Sequence, residues 1–505
     1  MDLPIEPRLS SSASAAPPSL APAGEAVLQP GRNCWRIEDA TRAAVLVDAA
    51  PYFARLEPAL RGARRSIMVL GWDFDGRIAF SRGADDEPAG ERLGPLLRRL
   101  VEERPELEVR ILVWSVAVVH APSDAVSLVV GANWQNHPRI TLRLDTNHPA
   151  YGSHHQKVVV IDDELAFCGG IDLTVDRWDT PEHRVDDPRR RTPDGRPYRA
   201  VHDMMMAVEG PVAMGLGDLA RRRWERATGE TLSPPAPRVE AEGRLWPVDL
   251  APDFSDIPVA IARTEPAWNG APEVRESGRL TLDILSAART LVYVEAQYLA
   301  SFEVGTILAR HLARESGPEV VILVSRRLNG FLETVSMGGN RDRLIRRLKR
   351  ADRFDRLRVF QPVVPGPAES DCEVFLHAKL LIADDRLLRI GSSNLNNRSM
   401  GLDTECDLAV EAGTEATARA IGALRERLLA EHLGVDPMLV KRTVAEMGST
   451  VAAIDALNTG ARGLKPYAVG SGPGPTHRVP GSSLLDPKRP FRLAGGLRRL
   501  VRRKR

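Results

Sequence analysis

The sequence predicts an α/β protein of two similar halves, each a mixed sheet flanked by helices, related by a pseudo-twofold axis with one active site at their interface. Two observations indicate this fold. Short apolar segments alternate with amphipathic helical segments, which is typical of a sheet covered by helices. The same order then recurs, so that Trp72 and Gln297 lie 225 positions apart and His155 and His377 lie 222 positions apart. A period this long indicates an internal duplication and not a solenoid.

The first half is predicted to begin near Cys34 and to end at a Pro-rich segment that starts at Ser233. We therefore place this half at residues 34–233, a linker at 234–254 and the second half at 255–435. The elements predicted for the first half, in order, are a helix over 43–63, a strand over 66–70, a helix over 93–103 and strands over 109–114, 140–144 and 158–161.

The second half repeats this alternation of helices and apolar strands. Its apolar segments are bounded by turn-forming and charged residues, as expected for buried strands. The predicted elements, in order, are a helix over 278–288, a strand over 291–294, a helix over 304–314, a strand over 320–324, a helix over 341–350 and strands over 357–360 and 380–382.

The composition is that of an ordinary globular protein, with 43% hydrophobic and 27% charged residues in 505. The four cysteines are far apart and are expected to be buried free thiols, because no pair has a metal-binding or disulfide spacing. Residues 1–33 are rich in Ser, Ala and Pro, so we expect disorder there. No secretory signal and no apolar run of membrane-spanning length occurs. We expect a cytoplasmic or peripheral membrane protein, and signal-independent secretion stays open.

Charge is distributed unevenly along the chain. Residues 486–505 contain nine basic residues and one acidic residue, a net charge of +8. Because the whole chain carries +2, residues 1–485 carry −6. We expect no nucleic-acid partner, because such a protein normally shows a broad basic face. The basic tail is predicted to bind anionic lipid. It ends a C-terminal extension, residues 436–505, in which little globular patterning is evident.

Two short motifs with identical spacing carry the chemistry. His155 and Lys157 precede an apolar run and an aspartate, Asp162, and the second half repeats this pattern at 377–384 with His377, Lys379 and Asp384. Because residues i and i+2 of a strand point to the same face, each His projects beside its Lys. The aspartates follow at the strand ends, where a carboxylate can hold a turn, and we count both among the catalytic residues. One copy could arise by chance, but two matched copies predict a site.

Cleavage of a phosphodiester needs a nucleophile, an acid for the leaving oxygen, and cations around the transition state. Two histidines and two lysines supply all of these, whereas one motif alone does not. We therefore expect no cofactor and no metal, and we expect activity to persist in EDTA. The spacing does not decide which histidine attacks.

The duplicated HxKxxxxD motif resembles the signature of the phospholipase D superfamily, and the resemblance covers roughly residues 35–435. The nearer similarity is to the eukaryotic-type phospholipase D subgroup, including its bacterial members. The segments that carry it begin at Gly169, His202, Glu295 and Asn394. The third of these, Glu-Ala-Gln-Tyr, departs from the subgroup's Glu-Asn-Gln pattern at Ala296.

The resemblance implies a role for each site residue. His155 would attack phosphorus to form a phosphohistidine, and His377 would protonate the leaving alcohol and then activate water. Asp203 would orient His155, and Glu405 would orient His377. The groups implied to contact the substrate phosphate are Lys157, Lys379, Asn394 and the backbone at Gly170 and Ser392. Gln297 and Trp178 are further substrate-binding candidates, although Trp178 could equally be a buried core residue.

The leading functional hypothesis is a monomeric phospholipase D that acts on glycerophospholipids at a membrane surface. It would release phosphatidate and a head-group alcohol, with transphosphatidylation as a second outcome. A phosphatidyltransferase similar to cardiolipin synthase is the alternative, and the absence of a transmembrane hairpin before the first motif disfavours it. A superfamily nuclease is disfavoured by the acidic body, and an inactive lipid-binding scaffold by the two intact motifs.

Overall fold

A continuous mixed sheet runs through both halves in the computed structural model of the protein. The structure describes residues 25–83, 90–116, 131–238, 243–326, 338–469 and 486–489. The elements described in the first half are β1 (Arg36–Val47), α1 (Ala49–Gly62), β2 (Ser66–Gly71), α2 (Leu93–Glu103), β3 (Glu108–Trp114), β4 (Ile140–Asp145), β5 (Val158–Ile161), β6 (Leu165–Gly169), β7 (Val201–His202), β8 (Met204–Glu209) and α3 (Pro211–Thr228).

The second half contains the matching set of strands and helices, followed by further elements near the C-terminus. These elements are β9 (Phe254–Glu265), β10 (Val274–Arg275), α4 (Glu276–Ala287), β11 (Leu291–Ala296), α5 (Phe302–Ala313), β12 (Glu319–Val324), α6 (Gly339–Ala351), β13 (Leu357–Pro365), β14 (Asp371–Glu373), β15 (Phe375–Leu376), β16 (Lys379–Ala383), β17 (Leu387–Gly391), β18 (Glu405–Glu411), α7 (Glu415–Leu433), α8 (Pro437–Met447), α9 (Thr450–Leu457) and β19 (Gly463–Pro466).

The strand order is the same in both halves. It reads β4-β3-β2-β5-β6-β8-β1 in the first half and β13-β12-β11-β16-β17-β18-β9 in the second. The halves join where β1 pairs antiparallel with β9, with Arg36 opposite Ile261 and Ala43 opposite Phe254. Such a join relates the two halves by a pseudo-twofold axis between these strands. The predicted α/β fold of two similar halves is confirmed.

The central strands are apolar on both faces because each face packs against a different layer. In β5, Val158 and Val160 belong to an inner core that both halves share, whereas Val159 and Ile161 belong to an outer core with α1 and α2. The second half has its own outer core with α4, α5 and α6. In the inner core, the sulfur atoms of Cys168 and Cys406 lie 3.7 Å apart, one from each half. The inner layer therefore holds the two halves together.

Most predicted elements are present within a few residues of their expected bounds, but the first helix is not. The prediction of a helix over 43–63 is wrong for its first turn, since Ala43 to Val47 form the end of β1. The helix begins only at Ala49. The cause is tertiary: Val45 and its neighbours pair with β8, so strand pairing overrides a helical pattern.

Parts of the two predicted terminal segments, 25–33 and 436–469, make structured contacts. In the region predicted as an extension, 436–505, α8 and α9 form and β19 pairs antiparallel with β13, so the expectation of little globular structure is wrong there. Within the predicted disordered segment, 1–33, the backbone amide of Val27 donates to Glu411 at 2.9 Å. Residues 1–24 and 490–505 lie outside the described residues. The boundaries of the two halves stay predictions.

Two further expectations from composition can be compared with the structure. All four cysteines are free, and Cys34, Cys168 and Cys406 are buried while Cys372 is partly exposed. Among the described residues, every helix is either too short or too polar to cross a bilayer.

Candidate active site

The two His-x-Lys motifs meet at the junction between the halves because each motif docks on the opposite half. The backbone amide of His155 donates to Thr404 O at 2.9 Å, and the amide of Thr404 donates to Ser153 O at 2.8 Å. In the same way, the amide of His377 donates to His202 O at 2.8 Å. Backbone pairing thus places each histidine beside residues of the other half.

The carboxylates that hold the histidines follow the same crossed arrangement. His155 Nδ1 lies 2.9 Å from Glu405 Oε2, and His377 Nδ1 lies 2.6 Å from Asp203 Oδ2. The predicted pairing of Asp203 with His155 and of Glu405 with His377 is therefore wrong. The reason is that each motif strand extends into the neighbouring half, a crossing that sequence order does not reveal.

Both imidazoles are kept neutral by their surroundings. Burial, followed by the charges of Lys157 and Lys379, lowers the pKa of His155 well below its usual value. Burial and the charge of Lys379 lower the pKa of His377 in the same way, and His155 itself contributes. With Nδ1 directed at a carboxylate, Nε2 of each ring faces away from it and can react with a ligand.

The two carboxylates are themselves buried and supported. Burial raises the pKa of Asp203 to about 6. Burial and the charge of Asp403 raise the pKa of Glu405 well above its usual value, while a hydrogen bond from Ser392 opposes this shift. The Ser392 hydroxyl donates to Glu405 Oε2 at 2.5 Å. Each catalytic histidine is therefore held by a buried carboxylate, which fixes the orientation of the ring.

The two motif lysines are almost fully buried, each with a side chain about 2% exposed. Lys157 Nζ lies 3.3 Å from Asp172 Oδ2 and donates to His155 O at 2.9 Å. Lys379 Nζ donates to Gln297 Oε1 at 3.1 Å. Burial lowers the pKa of Lys379 to about 7, against the opposing charge of Asp203 and with the repulsion of Lys157. The cationic charge of this lysine therefore depends on pH near neutrality.

The glycines after each motif allow a close approach of chains. A Cβ atom on Gly170 would lie 2.1 Å from Asp203 Oδ1, and one on Gly391 would lie 2.0 Å from Asp407 Oδ1. The prediction that the backbone at Gly170 and Ser392 binds phosphate is wrong, because both amides are already used. The amide of Gly170 donates to Met204 O, and the amide of Ser392 donates to Cys406 O, each at 3.0 Å.

The other predicted substrate-binding residues have different surroundings. Gln297 is buried, holds Lys379 and donates to Tyr298 at 3.1 Å, so it positions the lysine. Asn394 is also buried, and its Oδ1, a hydrogen-bond acceptor, has no partner within the described residues, so this oxygen can accept a hydrogen bond from a ligand. Trp178 packs in the outer core of the first half, 4% exposed, so a role in lining a lipid entrance is not supported.

The motif aspartates lie at the opposite end of their strands from the histidines. Asp162 accepts hydrogen bonds at 2.8 Å from three consecutive backbone amides at residues 64–66. Asp384 does the same for residues 289–291, at 2.7 to 2.9 Å. Both aspartates have positive φ, 50° and 57°. Their assignment as catalytic residues is wrong: they hold the turn that enters β2 or β11.

Sequence reasoning missed Asp172 as the partner of Lys157. The signal was present, because Asp172 stands 222 positions before Asn394, the same offset that separates the two motif histidines. Arg177 was also missed. Its charge lowers the pKa of His377 and of Lys379, so it adds positive potential to the site.

Comparisons with known proteins show which family the chain is similar to. A family model described as "Phospholipase D" matches residues 59–242, and one described as "Cardiolipin synthase, PLD-like domain" matches residues 281–424. The chain is 24% identical over 475 residues to phospholipase D A of Dictyostelium discoideum, covering 78% of this chain and 36% of that protein. It is also 24% identical over 491 residues to phospholipase D1 of Saccharomyces cerevisiae, covering 78% of this chain and 29% of that protein.

The chain thus spans about a third of the length of the first curated relatives that it matches. Among solved structures, a phosphatidylserine synthase of Haemophilus influenzae shares the fold with a TM-score of 0.52 and 13% identity. The match covers 84% of this chain and 96% of that protein. The family resemblance drawn from the duplicated motif is confirmed by these matches.

The turn role of the motif aspartates gives a test that separates stability from chemistry. Asp384→Ala removes the acceptor of three backbone amide hydrogen bonds, two exposed and one partly buried, so it should lower the free energy of unfolding by about 2 kcal/mol. The kcat of the folded fraction should stay within about twofold of wild type. Asp455→Ala, which breaks the exposed ion pair with Arg358, is the control and should change stability by less than about 1 kcal/mol. Unchanged stability with a large loss of kcat would contradict the turn role.

A second test concerns the lowered pKa of Lys379. The Lys379 side chain is almost fully protonated well below pH 7 and loses its charge as pH rises through its pKa of about 7. The value of kcat/KM should therefore fall on the alkaline side of that pKa. In kcat the fall should come at higher pH, because a bound phosphate anion raises the pKa of the lysine. Lys379→Arg should remove this alkaline fall even if its maximal rate is lower, whereas Lys465→Arg at the surface should retain it. A flat kcat/KM profile up to pH 9 in wild type would contradict the assignment.

Proposed function

Because the chain belongs to the phospholipase D superfamily, we propose that it is a phospholipase D, which hydrolyses the distal phosphodiester of glycerophospholipids. The products are phosphatidate and a head-group alcohol. The observation that carries the proposal is the paired arrangement of two neutral imidazoles, each fixed by a carboxylate of the opposite half, beside two buried lysines. Such a set has the groups that a two-step displacement at phosphorus needs.

The first step is an attack by His155 Nε2 on phosphorus. The bond from phosphorus to the head-group oxygen breaks, and His377 donates a proton to that oxygen. The negative phosphate of a bound substrate raises the pKa of His377, which is low in the free protein, and so loads this ring with the proton that it donates. Lys157 and Lys379 stabilise the charge on the equatorial oxygens.

The second step releases the covalent intermediate. His377, now neutral, takes a proton from water, and the oxygen attacks phosphorus while the bond to His155 Nε2 breaks. Asp203 holds His377 through both proton transfers, because its contact at 2.6 Å keeps the ring oriented. In this crossed arrangement Glu405 supports the nucleophile, and Ser392 supports Glu405.

Transfer to an alcohol is a second candidate activity, and one observation favours it. The second half matches a family model described as "Cardiolipin synthase, PLD-like domain". An alcohol that enters in place of water would attack the same phosphohistidine and give transphosphatidylation. The proportion of the two products is then set by which acceptor reaches His377.

The function is tested with purified protein and short-chain phosphatidylcholine, phosphatidylethanolamine and phosphatidylglycerol, with DNA as the control substrate. Lipid substrates should be cleaved to phosphatidate, with added primary alcohol giving the transfer product, and DNA should not be cleaved. Cleavage of DNA without cleavage of any lipid would overturn the proposal in favour of a nuclease.

The roles of the two histidines are tested by trapping the intermediate. His155→Ala should lower kcat by about 10³-fold or more and abolish covalent phosphorus labelling. His377→Ala should be as slow in turnover but should retain label on His155, because its second step lacks a base. Label that persists in the first variant and vanishes in the second would reverse the two roles.

We also propose that the basic tail brings the protein to anionic membranes. Residues 486–489 belong to the folded part, since buried Asp486 accepts hydrogen bonds from Asn397 and Arg398. Residues 490–505 hold seven basic residues and no acidic residue. Each basic residue near an anionic bilayer contributes about 1 kcal/mol.

Deletion of residues 490–505 should therefore weaken binding to vesicles that contain anionic lipid by at least about tenfold at low salt, and the difference should shrink as salt rises. Replacing the seven basic residues with Gln should have the same effect, which separates charge from length. Turnover of a soluble short-chain lipid should not change. Full vesicle binding by both variants at low salt would contradict this proposal.

A further inference from the structure

A second cluster of buried titratable groups lies at the junction between the halves and has no part in the proposed chemistry. It consists of Asp48, His183, His202 and Glu431, whose nearest side-chain atoms all lie within 4.8 Å of one another. The first three residues come from the first half, and Glu431 comes from α7 of the second half. None of the four is more than about 8% exposed at its side chain.

The distances between the donor atoms match those around a small tetrahedral ion. His183 Nε2 lies 3.6 Å from Asp48 Oδ2 and 3.2 Å from Glu431 Oε1. His202 Nδ1 lies 3.1 Å from Asp48 Oδ1 and 3.0 Å from Glu431 Oε1. Tetrahedral zinc with bonds of about 2.0 to 2.1 Å places its ligands about 3.3 Å apart. The four contacts lie within about 0.3 Å of that separation, with one oxygen of Asp48 near each histidine.

The directions of these contacts also point to a shared central ligand. His202 Nδ1 and Asp48 Oδ2 are fully buried, yet neither has a hydrogen-bond partner in the described part of the chain. For His202 this holds although two carboxylate oxygens lie within 3.1 Å. His202 Nδ1 and Asp48 Oδ2 are thus close to possible partners without facing them as donor and acceptor, whereas His183 Nε2 and Glu431 Oε1 form a hydrogen bond at 3.2 Å. Orphaned buried polar atoms of this kind need a partner.

The remaining nitrogen of each histidine is held by a separate carboxylate. His183 Nδ1 lies 3.0 Å from Asp179 Oδ2, and His202 Nε2 lies 2.9 Å from Glu295 Oε2. Metal-binding histidines almost always donate their other N–H to such a carboxylate or carbonyl, which fixes the tautomer and directs the free nitrogen at the metal. Both histidines of the cluster have this arrangement, each with its own carboxylate.

The backbone at two of the four residues is unusual. Asp48 and His183 have φ of 66° and 49°, in the region that disfavours residues with a side chain. Strain of this kind is retained where the surroundings hold a side chain in one place, and it concentrates at ligand sites. Here it turns the Asp48 carboxylate and the His183 ring towards the same point.

Charge also favours a bound cation. The cluster holds two carboxylates that are almost fully buried, Asp48 and Glu431, and two more, Asp179 and Glu295, contact the outer nitrogens of its histidines. Buried carboxylates need a positive charge near them. The rings of His183 and His202 have centroids 5.6 Å apart, and His432 lies 4.8 Å from His202. One divalent ion between neutral rings supplies that charge without placing several imidazolium ions side by side.

We propose that Asp48, His183, His202 and Glu431 bind a divalent metal ion, and that zinc is the metal that suits them. Two imidazole nitrogens and two carboxylate oxygens are ligands that zinc accepts, and two carboxylates neutralise its charge. With four protein ligands and little access for water, the site is structural. Short EDTA treatment should therefore not inhibit the enzyme. The proposal does not rest on the proposed function.

The ion would fasten the second half to the first. Glu431 would be its only ligand from the second half, so the bond to zinc would join α7 to three residues of the first half. The site also adjoins the active site through the backbone, since the amide of Asp48 donates to Asp203 O at 2.7 Å. Loss of the ion should therefore loosen the junction on which the two crossed histidine pairs depend.

The test is the metal content of the full chain, prepared without a polyhistidine tag and dialysed free of loose metal. Elemental analysis should find about one zinc per chain. Glu431→Gln and His183→Gln should each retain at most about a tenth of this zinc. His311→Gln is the matched control. The buried His311 side chain lies outside the cluster, and its one described hydrogen bond joins Nε2 to Leu285 O at 2.7 Å. That control should retain the full amount.

Cobalt provides a second measurement that does not depend on the variants folding. Protein refolded with Co²⁺ in place of zinc should show the intense visible absorption of a four-coordinate ion without a thiolate charge-transfer band. Wild-type protein that binds less than about 0.1 equivalent of either metal after refolding would overturn the proposal. So would full metal content in Glu431→Gln, or a thiolate band, which would place the ion on a cysteine.

Discussion

The active site depends on one constraint, which is that each catalytic motif completes the opposite half. His155 is held by the backbone at Thr404 and by the side chain of Glu405, and His377 is held by His202 and Asp203. Neither half therefore contains both a catalytic histidine and the carboxylate that orients it. Loss of either motif would leave the carboxylate that it contacts in the opposite half without a histidine to orient, which is consistent with the retention of both motifs.

The crossing also accounts for the unusual burial of charge at the junction. Isolated buried ions are strongly destabilising, but ions that are paired and hydrogen-bonded are tolerated. Each lysine here has an oxygen partner from its own half, Asp172 for Lys157 and Gln297 for Lys379. Dry surroundings keep the imidazoles neutral and make the lysine charges effective towards a phosphate. The low polarity that makes these buried charges costly for stability thus also strengthens their interaction with the transition state.

Much of this architecture could be predicted from the sequence, because it follows from local patterns. The strand Val158–Ile161 and the helix Leu93–Glu103 have the predicted bounds, since their apolar periodicity agrees with their final packing. The segment 43–47 was mispredicted, because its state is decided by pairing with β8 and β9 and not by its own pattern. The pseudo-twofold axis and the paired motifs could both be predicted, because both follow from the repeated spacing of the duplicated sequence.

What the sequence could not provide is the set of contacts between distant segments. The spacing identified both histidines, and the family resemblance supplied both carboxylates, but the pairing was wrong because the direction in which a strand crosses leaves no local signal. Asp162 and Asp384 were counted as catalytic from the motif, whereas their backbone hydrogen bonds show the turn role that their place at the strand ends also allowed. The junction cluster that includes Glu431 is assembled from four separate segments, so no local sequence motif predicts it.

The most direct measurement of the crossed arrangement is the side-chain ¹⁵N NMR spectrum of histidine-labelled protein. The Nδ1 resonance of His155 should shift in Glu405→Gln while that of His377 stays in place, and Asp203→Asn should have the converse effect. These shifts report the hydrogen bond at each ring nitrogen without requiring turnover. If Glu405→Gln instead moves the His377 resonance and leaves His155 unchanged, each half holds its own histidine, and the account of a site built by crossing is wrong.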